Sequence, residues 1–270
     1  MDRNDTRIIE NFIKGIEQAG DLIRQKKPDC IVAPMFGAVP FIDILNVIQD
    51  DFPNEIVEYV PASNKVHDVR NVIHGAMNSI LEKYYNPEGT KIVSIDEVVS
   101  GNSLMRVYKQ FNSARQSFAD RKTIEVFGQD TSFENENIRA YRDNIKDKIT
   151  YFSVGIIDSK LSRIRKQKNP EYLELLSKNI VLPVEVDSII TMDRPAFFPA
   201  KYKTAKNSEG RTMYLPVVDN FDINKSYVDL LIHVAEIYGK DMSSANPKNL
   251  VKIRESYKLI PEKYRGATGI

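Results

Sequence analysis

The sequence predicts an α/β fold built on a parallel-rich, doubly wound sheet. Short apolar runs that are rich in β-branched residues alternate along the chain with longer runs whose apolar residues recur at helical spacing. The first pattern is typical of buried strands and the second of amphipathic helices. Turns rich in glycine, proline and asparagine separate the runs. Strands that alternate with helices favour βαβ units, in which the strands run parallel and helices cover the sheet.

Helices and strands alternate over the first third of the chain. The helix predicted over residues 6–27 carries Phe12, Ile16 and Ile23 on one face, and Pro28 ends it. The elements predicted after it are a strand at 30–34, a helix at 39–48, a strand at 55–60, a helix at 72–85 and a strand at 91–95. Because helical segments precede and follow the last of these strands, we expect Ile92 to Ile95 to lie on a central strand.

A second series of elements follows. We predict a helix at 103–118, a strand at 123–127, a helix at 134–146, a strand at 149–157, a helix at 170–178, extended chain at 181–190 and closing helices at 227–238 and 247–257. After Asp158 the composition changes to a basic, polar segment. We therefore expect an α/β core with its N-terminal helix over residues 1–160, and a C-terminal extension over residues 161–270.

Composition and charge exclude several classes of function. The chain has 270 residues and a formal charge of +1, so it can bury a sizeable core, and no overall field attracts it to nucleic acid or to a membrane surface. Cys30 is the only cysteine, which excludes an intramolecular disulfide and agrees with a reducing compartment. No segment approaches the roughly 20 apolar residues of a membrane span. We expect a cytoplasmic protein that does not associate with membranes.

The segment Lys91–Val107, KIVSIDEVVSGNSLMRV, carries the clearest chemical pattern. An apolar strand ends in Asp96 and Glu97, and a turn of small residues then opens a helix. The turn residues are Ser100, Gly101, Asn102 and Ser103. Their backbone N–H groups can converge on a phosphate at the positive end of the helix, with the two carboxylates facing an attached sugar. The alternative is a plain strand-to-helix connection in which Ser103 caps the helix and the acids are solvated.

Within that segment, IVSIDEVVSGNSL resembles the diphosphoribosyl-binding signature of type I phosphoribosyltransferases. In that signature a strand, two acids and two apolar residues lead into a Thr/Ser-Gly-x-Thr/Ser turn. The usual signature has one more residue between the acids and the glycine. Either the turn is shortened in this chain, or Asp96 alone matches the second acid and Ile95 stands in place of the first.

The resemblance implies a phosphoribosyltransferase-type sheet with a C-terminal hood or helical extension. It implies binding of phosphoribosyl diphosphate or a nucleotide, and transfer of the phosphoribosyl group to or from a nitrogenous base. Asp96 and Glu97 would be the catalytic pair and would hold Mg²⁺ between the diphosphate and the ribose hydroxyls. The turn at 100–103 would bind the 5-phosphate.

Two further segments occur in the order that the family has them. IVAPMFGAVPF, residues 31–41, is similar to the family's first-strand loop, and the implied diphosphate-binding residues are Met35, Phe36, Gly37 and Ala38. PASNKVHDVRNVI, residues 61–73, stands where the family has a mobile loop. Lys65, His67 and Arg70 would there shield developing pyrophosphate charge, and the alternative for them is a solvated polar loop.

The resemblance also implies a hood that recognises the base, for which Val181 to Arg211 is the candidate segment. In the implied base site, Asp193 or Arg194 would bond the edge of the ring. Phe197 and Phe198, together with Tyr202, would stack on it. The alternative for these residues is the core and surface of a small subdomain.

Two other interpretations stand beside transfer. The shortened motif, and the absence of a basic residue where Met35 and Phe36 stand, favour a phosphoribosyltransferase-like fold kept as a nucleotide sensor, regulator or assembly partner. A scaffold without a ligand would require three ligand-facing segments to coincide by chance. A homodimer or another assembly is left open, because the sequence does not settle the oligomeric state.

Overall fold

The structure, a computed structural model, describes residues 3–35, 37–62, 69–159, 170–193, 202–206, 212–216 and 223–258. Five strands form a parallel sheet in the order β2-β1-β3-β4-β5. They are β1 (Cys30–Met35), β2 (Val57–Pro61), β3 (Thr90–Val98), β4 (Ile149–Asp158) and β5 (Val181–Val186). Two more strands, β6 (Tyr202–Lys206) and β7 (Thr212–Pro216), pair antiparallel with each other.

Helices cover both faces of the parallel sheet. They are α1 (Arg3–Lys26), α2 (Val39–Ile48), α3 (Val69–Tyr84), α4 (Asn102–Phe127), α5 (Glu136–Asp147), α6 (Pro170–Ser177), α7 (Ile190–Asp193), α8 (Lys225–Ile237) and α9 (Leu250–Lys258). One core cluster joins α1, α2 and α8 to one face, and a second joins α3, α4 and α5 to the other. None of the helices in the described part of the chain combines the length and apolar character that a membrane crossing requires.

The central position predicted for Ile92 to Ile95 is confirmed. These residues belong to β3, which pairs with β1 on one side and with β4 on the other. The strand is buried without interruption from Ile92 to Asp96, because helices shield both of its faces. The parallel, doubly wound α/β sheet predicted from the alternating pattern is therefore present.

Two sequence predictions are wrong. The strand expected at 123–127 does not form, because α4 continues to Phe127 and the Thr123 hydroxyl donates to the Ala119 carbonyl within the helix at 2.7 Å. The hood expected over Val181 to Arg211 does not begin where it was placed, since Val181–Val186 is the fifth strand of the sheet. The sheet thus continues past residue 160, the boundary that the change in composition suggested.

The outer edge of the sheet is covered at β2. Helix α9 packs against this strand. Lys252 of α9 donates to the backbone carbonyl of Val57, the first residue of β2, and to those of Asn54 and Glu55 in the turn before it, at 2.9 to 3.2 Å. An ammonium group has three N–H donors, so this contact uses its full capacity.

A buried polar contact joins α2 to α8 on the face that α1 also covers. Asp43 of α2 is 2% exposed and accepts a hydrogen bond from the Tyr227 hydroxyl of α8 at 2.6 Å. Burial raises the pKa of Asp43 to about 7, although Tyr227 and the backbone of Lys248 offset part of the shift.

Candidate functional site

The order of the strands creates a crevice between β1 and β3. The chain leaves β1 toward β2 on one side and leaves β3 toward β4 on the other, so the two connections diverge at the carboxyl ends of neighbouring strands. In open parallel sheets, ligands bind at this point of divergence. Gly37 follows β1 here, and Asp96 and Glu97 end β3 here, so two of the three sequence-predicted segments meet.

Gly37 and Glu97 approach each other closely. A Cβ atom built on Gly37 would lie 2.9 Å from Cδ of Glu97, which is closer than side-chain atoms pack. Gly37 is not among the residues with positive φ. A side chain at this position would displace the Glu97 carboxylate from the backbone, and this contact links the loop after β1 to the end of β3.

The two acids differ in exposure. Asp96 is 2% exposed, and its Oδ1 accepts a hydrogen bond from the Glu97 amide at 2.9 Å. Its Oδ2 has no hydrogen-bond partner among the described residues. Burial, and then the neighbouring Glu97 charge, raise the pKa of Asp96 to about 8, while the Ser103 hydroxyl acts in the opposite direction. Glu97 is partly exposed, and burial raises its pKa to about 7.

The turn that follows has the conformation that its glycine permits. Gly101 occupies the N-cap position of α4 with φ 73° and ψ −3°, in the left-handed region. No side chain caps this helix end, so Ser103 is not the cap that the plain-connection alternative required; it lies beside Asp96 instead. A Cβ on Gly101 would lie 2.9 Å from the Tyr172 ring of α6. That side of the turn is therefore packed by protein.

A basic cavity lies beside the first two turns of α4. It has a volume of about 380 Å³, and its lining includes Asn102, Arg106 and Lys109 of α4 and Arg70 of α3. Arg106 Nη1 donates to the Ala62 carbonyl at 2.9 Å, which holds the guanidinium across the gap between α4 and the end of β2. Sequence reasoning missed Arg106 and Lys109. Their spacing from Asn102, four and seven residues along one helix face, was the available signal.

The remaining predicted site residues are distributed as follows. Met35 and Ala38 are buried, and the Ala38 amide already donates to the Pro34 carbonyl at 3.1 Å. Arg70 is exposed at the start of α3, and Asp193 ends α7, which follows the carboxyl end of β5. The predicted site residues that lie outside the described residues are Phe36, Lys65, His67, Arg194, Phe197 and Phe198.

Within the described parts of the chain, His, Cys, Asp and Glu side chains form no group of three or more that could hold a metal ion. Asp96 and Glu97 are two carboxyls, the number that often suffices for magnesium when substrate phosphates and water complete the coordination. Comparison of the chain with protein-family models, with curated proteins and with solved structures found no match.

Proposed function

We propose that the chain binds phosphoribosyl diphosphate or a nucleotide in the crevice between β1 and β3, and transfers the phosphoribosyl group to or from a nitrogenous base. One observation carries the proposal. The Gly101 turn, the acid pair Asp96 and Glu97, and the Gly37 loop all lie where the connections of two neighbouring parallel strands diverge.

In this proposal the phosphate binds at the amino end of α4. The 26-residue helix presents its positive dipole end there, where the first N–H groups of a helix have no partner within the helix itself. The left-handed Gly101 redirects the chain just before the helix begins, so the amides at 100–103 can face one anion. The Ser100 hydroxyl adds a donor of the kind that phosphate oxygens accept, and the Ser103 hydroxyl would add a second on turning away from Asp96, beside which it lies.

The acid pair then serves the sugar and magnesium. Glu97, which is partly exposed and touches the Gly37 loop, is the carboxylate placed to contact a ribose hydroxyl or a cation. Asp96 lies behind it and bonds the Glu97 amide, which orients the strand end. A bound cation favours the ionised form of both acids, because opposite charge lowers the pKa of a carboxyl. Magnesium would supply the charge that stabilises the departing diphosphate.

The second candidate is a nucleotide sensor without transfer activity. The burial of Asp96 and the use of the Ala38 amide within the protein favour it, because both reduce the number of groups free to act on a reacting sugar. It requires the same phosphate site. Binding experiments therefore test the shared part, and turnover separates the two candidates.

The test is calorimetric titration of the protein with phosphoribosyl diphosphate and with common nucleoside monophosphates, with and without magnesium, followed by a pyrophosphate-release assay across nitrogenous bases. Saturable binding with pyrophosphate release supports transfer. Saturable binding without release for every base supports the sensor. If none of these ligands binds, the phosphate site and both candidate functions are rejected.

A further inference from the structure

The cavity beside α4 has a surplus of positive charge. Its charged lining residues are Arg70, Arg106, Lys109 and Glu171, three cations and one carboxylate, which gives a formal charge of +2. Asn102, a residue of the proposed phosphate turn, lines the same cavity. The cavity therefore reaches the residue of the turn with which α4 begins.

The one carboxylate is already paired. Lys109 Nζ lies 2.6 Å from Glu171 Oε2, and about half of each side chain is exposed, so this ion pair forms on the rim. The positive charge that remains is that of Arg70 and Arg106. Both side chains line the cavity, one from each of two neighbouring helices.

The positive charges of the two arginines repel each other. The bond to the Ala62 carbonyl fixes the Arg106 guanidinium, and burial together with the nearby charge of Arg70 lowers its pKa. Guanidinium groups bind phosphate oxygens through paired N–H donors, so an anion between these two groups would remove the repulsion.

We infer that this cavity binds the outer phosphates of a nucleoside 5′-polyphosphate whose first phosphate occupies the Gly101 turn. Arg106 follows Asn102 by four residues, which places it about 6 Å further along the helix axis. A polyphosphate chain that begins at the turn can reach this distance, whereas a monophosphate cannot occupy both positions. The inference rests on the proposed phosphate site and specifies the ligand class that it selects.

The experiment compares a nucleoside 5′-triphosphate with the corresponding monophosphate by calorimetry, in magnesium-free buffer so that the protein alone meets the phosphate charge. The wild-type protein is expected to bind the triphosphate at least about tenfold more tightly, the effect of one or two charged hydrogen bonds. Arg70→Gln, Arg106→Gln and the double variant are expected to reduce this preference progressively and to leave the monophosphate affinity unchanged.

Arg121→Gln is the matched control, because it removes the same charge from the same helix at an exposed ion pair with Glu82. This variant is expected to keep the wild-type preference for the triphosphate over the monophosphate. Equal affinities in the wild type, or a preference that survives in the folded double variant, would overturn the inference and leave the phosphate site standing. If Arg106→Gln does not melt cooperatively, the triphosphate preference of Arg70→Gln tests the inference, since this variant keeps the hydrogen bond between Arg106 and Ala62. Absence of binding by either nucleotide would reject the phosphate site as well.

Discussion

Asp43 and Asp96 are both buried carboxyls, yet their surroundings differ. Each is 2% exposed, and burial is the largest cause of a raised pKa in both, to about 7 for Asp43 and to about 8 for Asp96. Asp43 lies within α2 beneath α8, where the Tyr227 hydroxyl donates to it. Asp96 lies at the end of a strand, next to the partly exposed Glu97.

Burial and a raised pKa therefore do not by themselves mark a functional site in this protein. The groups that act on Asp43 are Tyr227 and Lys248, and the first of these joins two packed helices. The groups that act on Asp96 are Glu97, Ser103 and Arg106, which lie at the edge of the sheet where its connections diverge. We expect changes at Asp43 to alter stability alone and changes at the sheet edge to alter ligand binding as well.

The largest effect is expected from Gly101→Ala. A left-handed conformation costs a residue with a Cβ about 1–2 kcal/mol, and the contact with Tyr172 adds an overpacking cost of about 1–3 kcal/mol. Gly239→Ala is the matched control, because Gly239 also has positive φ, 60°, but no described heavy atom lies within 4 Å of its Cβ position. Urea unfolding measures both. Equal losses in the two variants would show that Tyr172 does not restrict Gly101.

The second prediction concerns pH. Because the folded-state pKa of Asp43 is about 7, against an ordinary value of 3.8, the folded protein binds the extra proton between these values. Its stability should fall as pH rises through this window, by up to about 1.4 kcal/mol per pH unit for one such group. Relative to the wild type, Asp43→Asn should become progressively more stable from about pH 4 to about pH 7. Above pH 7 the difference in stability between the two proteins should stay constant. Thermal melts across this range measure the difference, and a constant one throughout would contradict the buried-acid assignment.

Tyr227→Phe should have a smaller effect on stability. It removes the hydroxyl that donates to Asp43 and leaves a buried acceptor without this partner, at a cost of about 1–3 kcal/mol. Loss of the donor should also raise the pKa of Asp43 further, because Tyr227 lowers it in the wild type. Chemical denaturation at pH 6 and pH 8 tests both effects. Any change in nucleotide affinity would contradict the expectation that changes around Asp43 affect stability but not ligand binding.

The smallest effect expected is a change in ligand affinity in Asp96→Asn, which keeps the shape of the side chain and removes the charge that a bound cation favours. Affinity for phosphoribosyl diphosphate with magnesium should fall by about tenfold, the size of one charged hydrogen bond, while inorganic phosphate should bind as before. Asp43→Asn is the control and should bind both ligands like the wild type. Equal losses in the two variants would indicate a general effect of removing a buried acid.

The sequence predicted the sheet well because strand and helix periods differ strongly along most of the chain. It failed at Thr123, where β-branched residues resembled a strand although α4 continues and the threonine hydroxyl bonds the preceding turn. It correctly gave Val181–Val186 as extended chain but assigned this segment to a hood, since a short extended run does not reveal which sheet it joins. Partner strands are fixed by tertiary packing, which local pattern does not record.

The candidate site was predictable in part. The acid pair and the Gly101 turn could be found because their chemistry lies in one short segment. The approach of Glu97 to Gly37, and the presence of Arg70 and Arg106 in one cavity, depend on strands and helices that are distant in sequence. Residues of this second kind become visible only when the order of the strands is known.

Lys252 also limits the pairing of the outer edge of the sheet with strands of other molecules. An edge strand offers unpaired carbonyl groups to strands of other molecules, and this is a common route to aggregation. At the start of β2 the carbonyl of Val57 is occupied by the Lys252 ammonium group of α9, which also binds the carbonyls of Asn54 and Glu55 in the turn before the strand. Resistance to association between molecules should therefore be acquired only when α9 docks, so chains that have formed the sheet without this helix are the ones most exposed to aggregation.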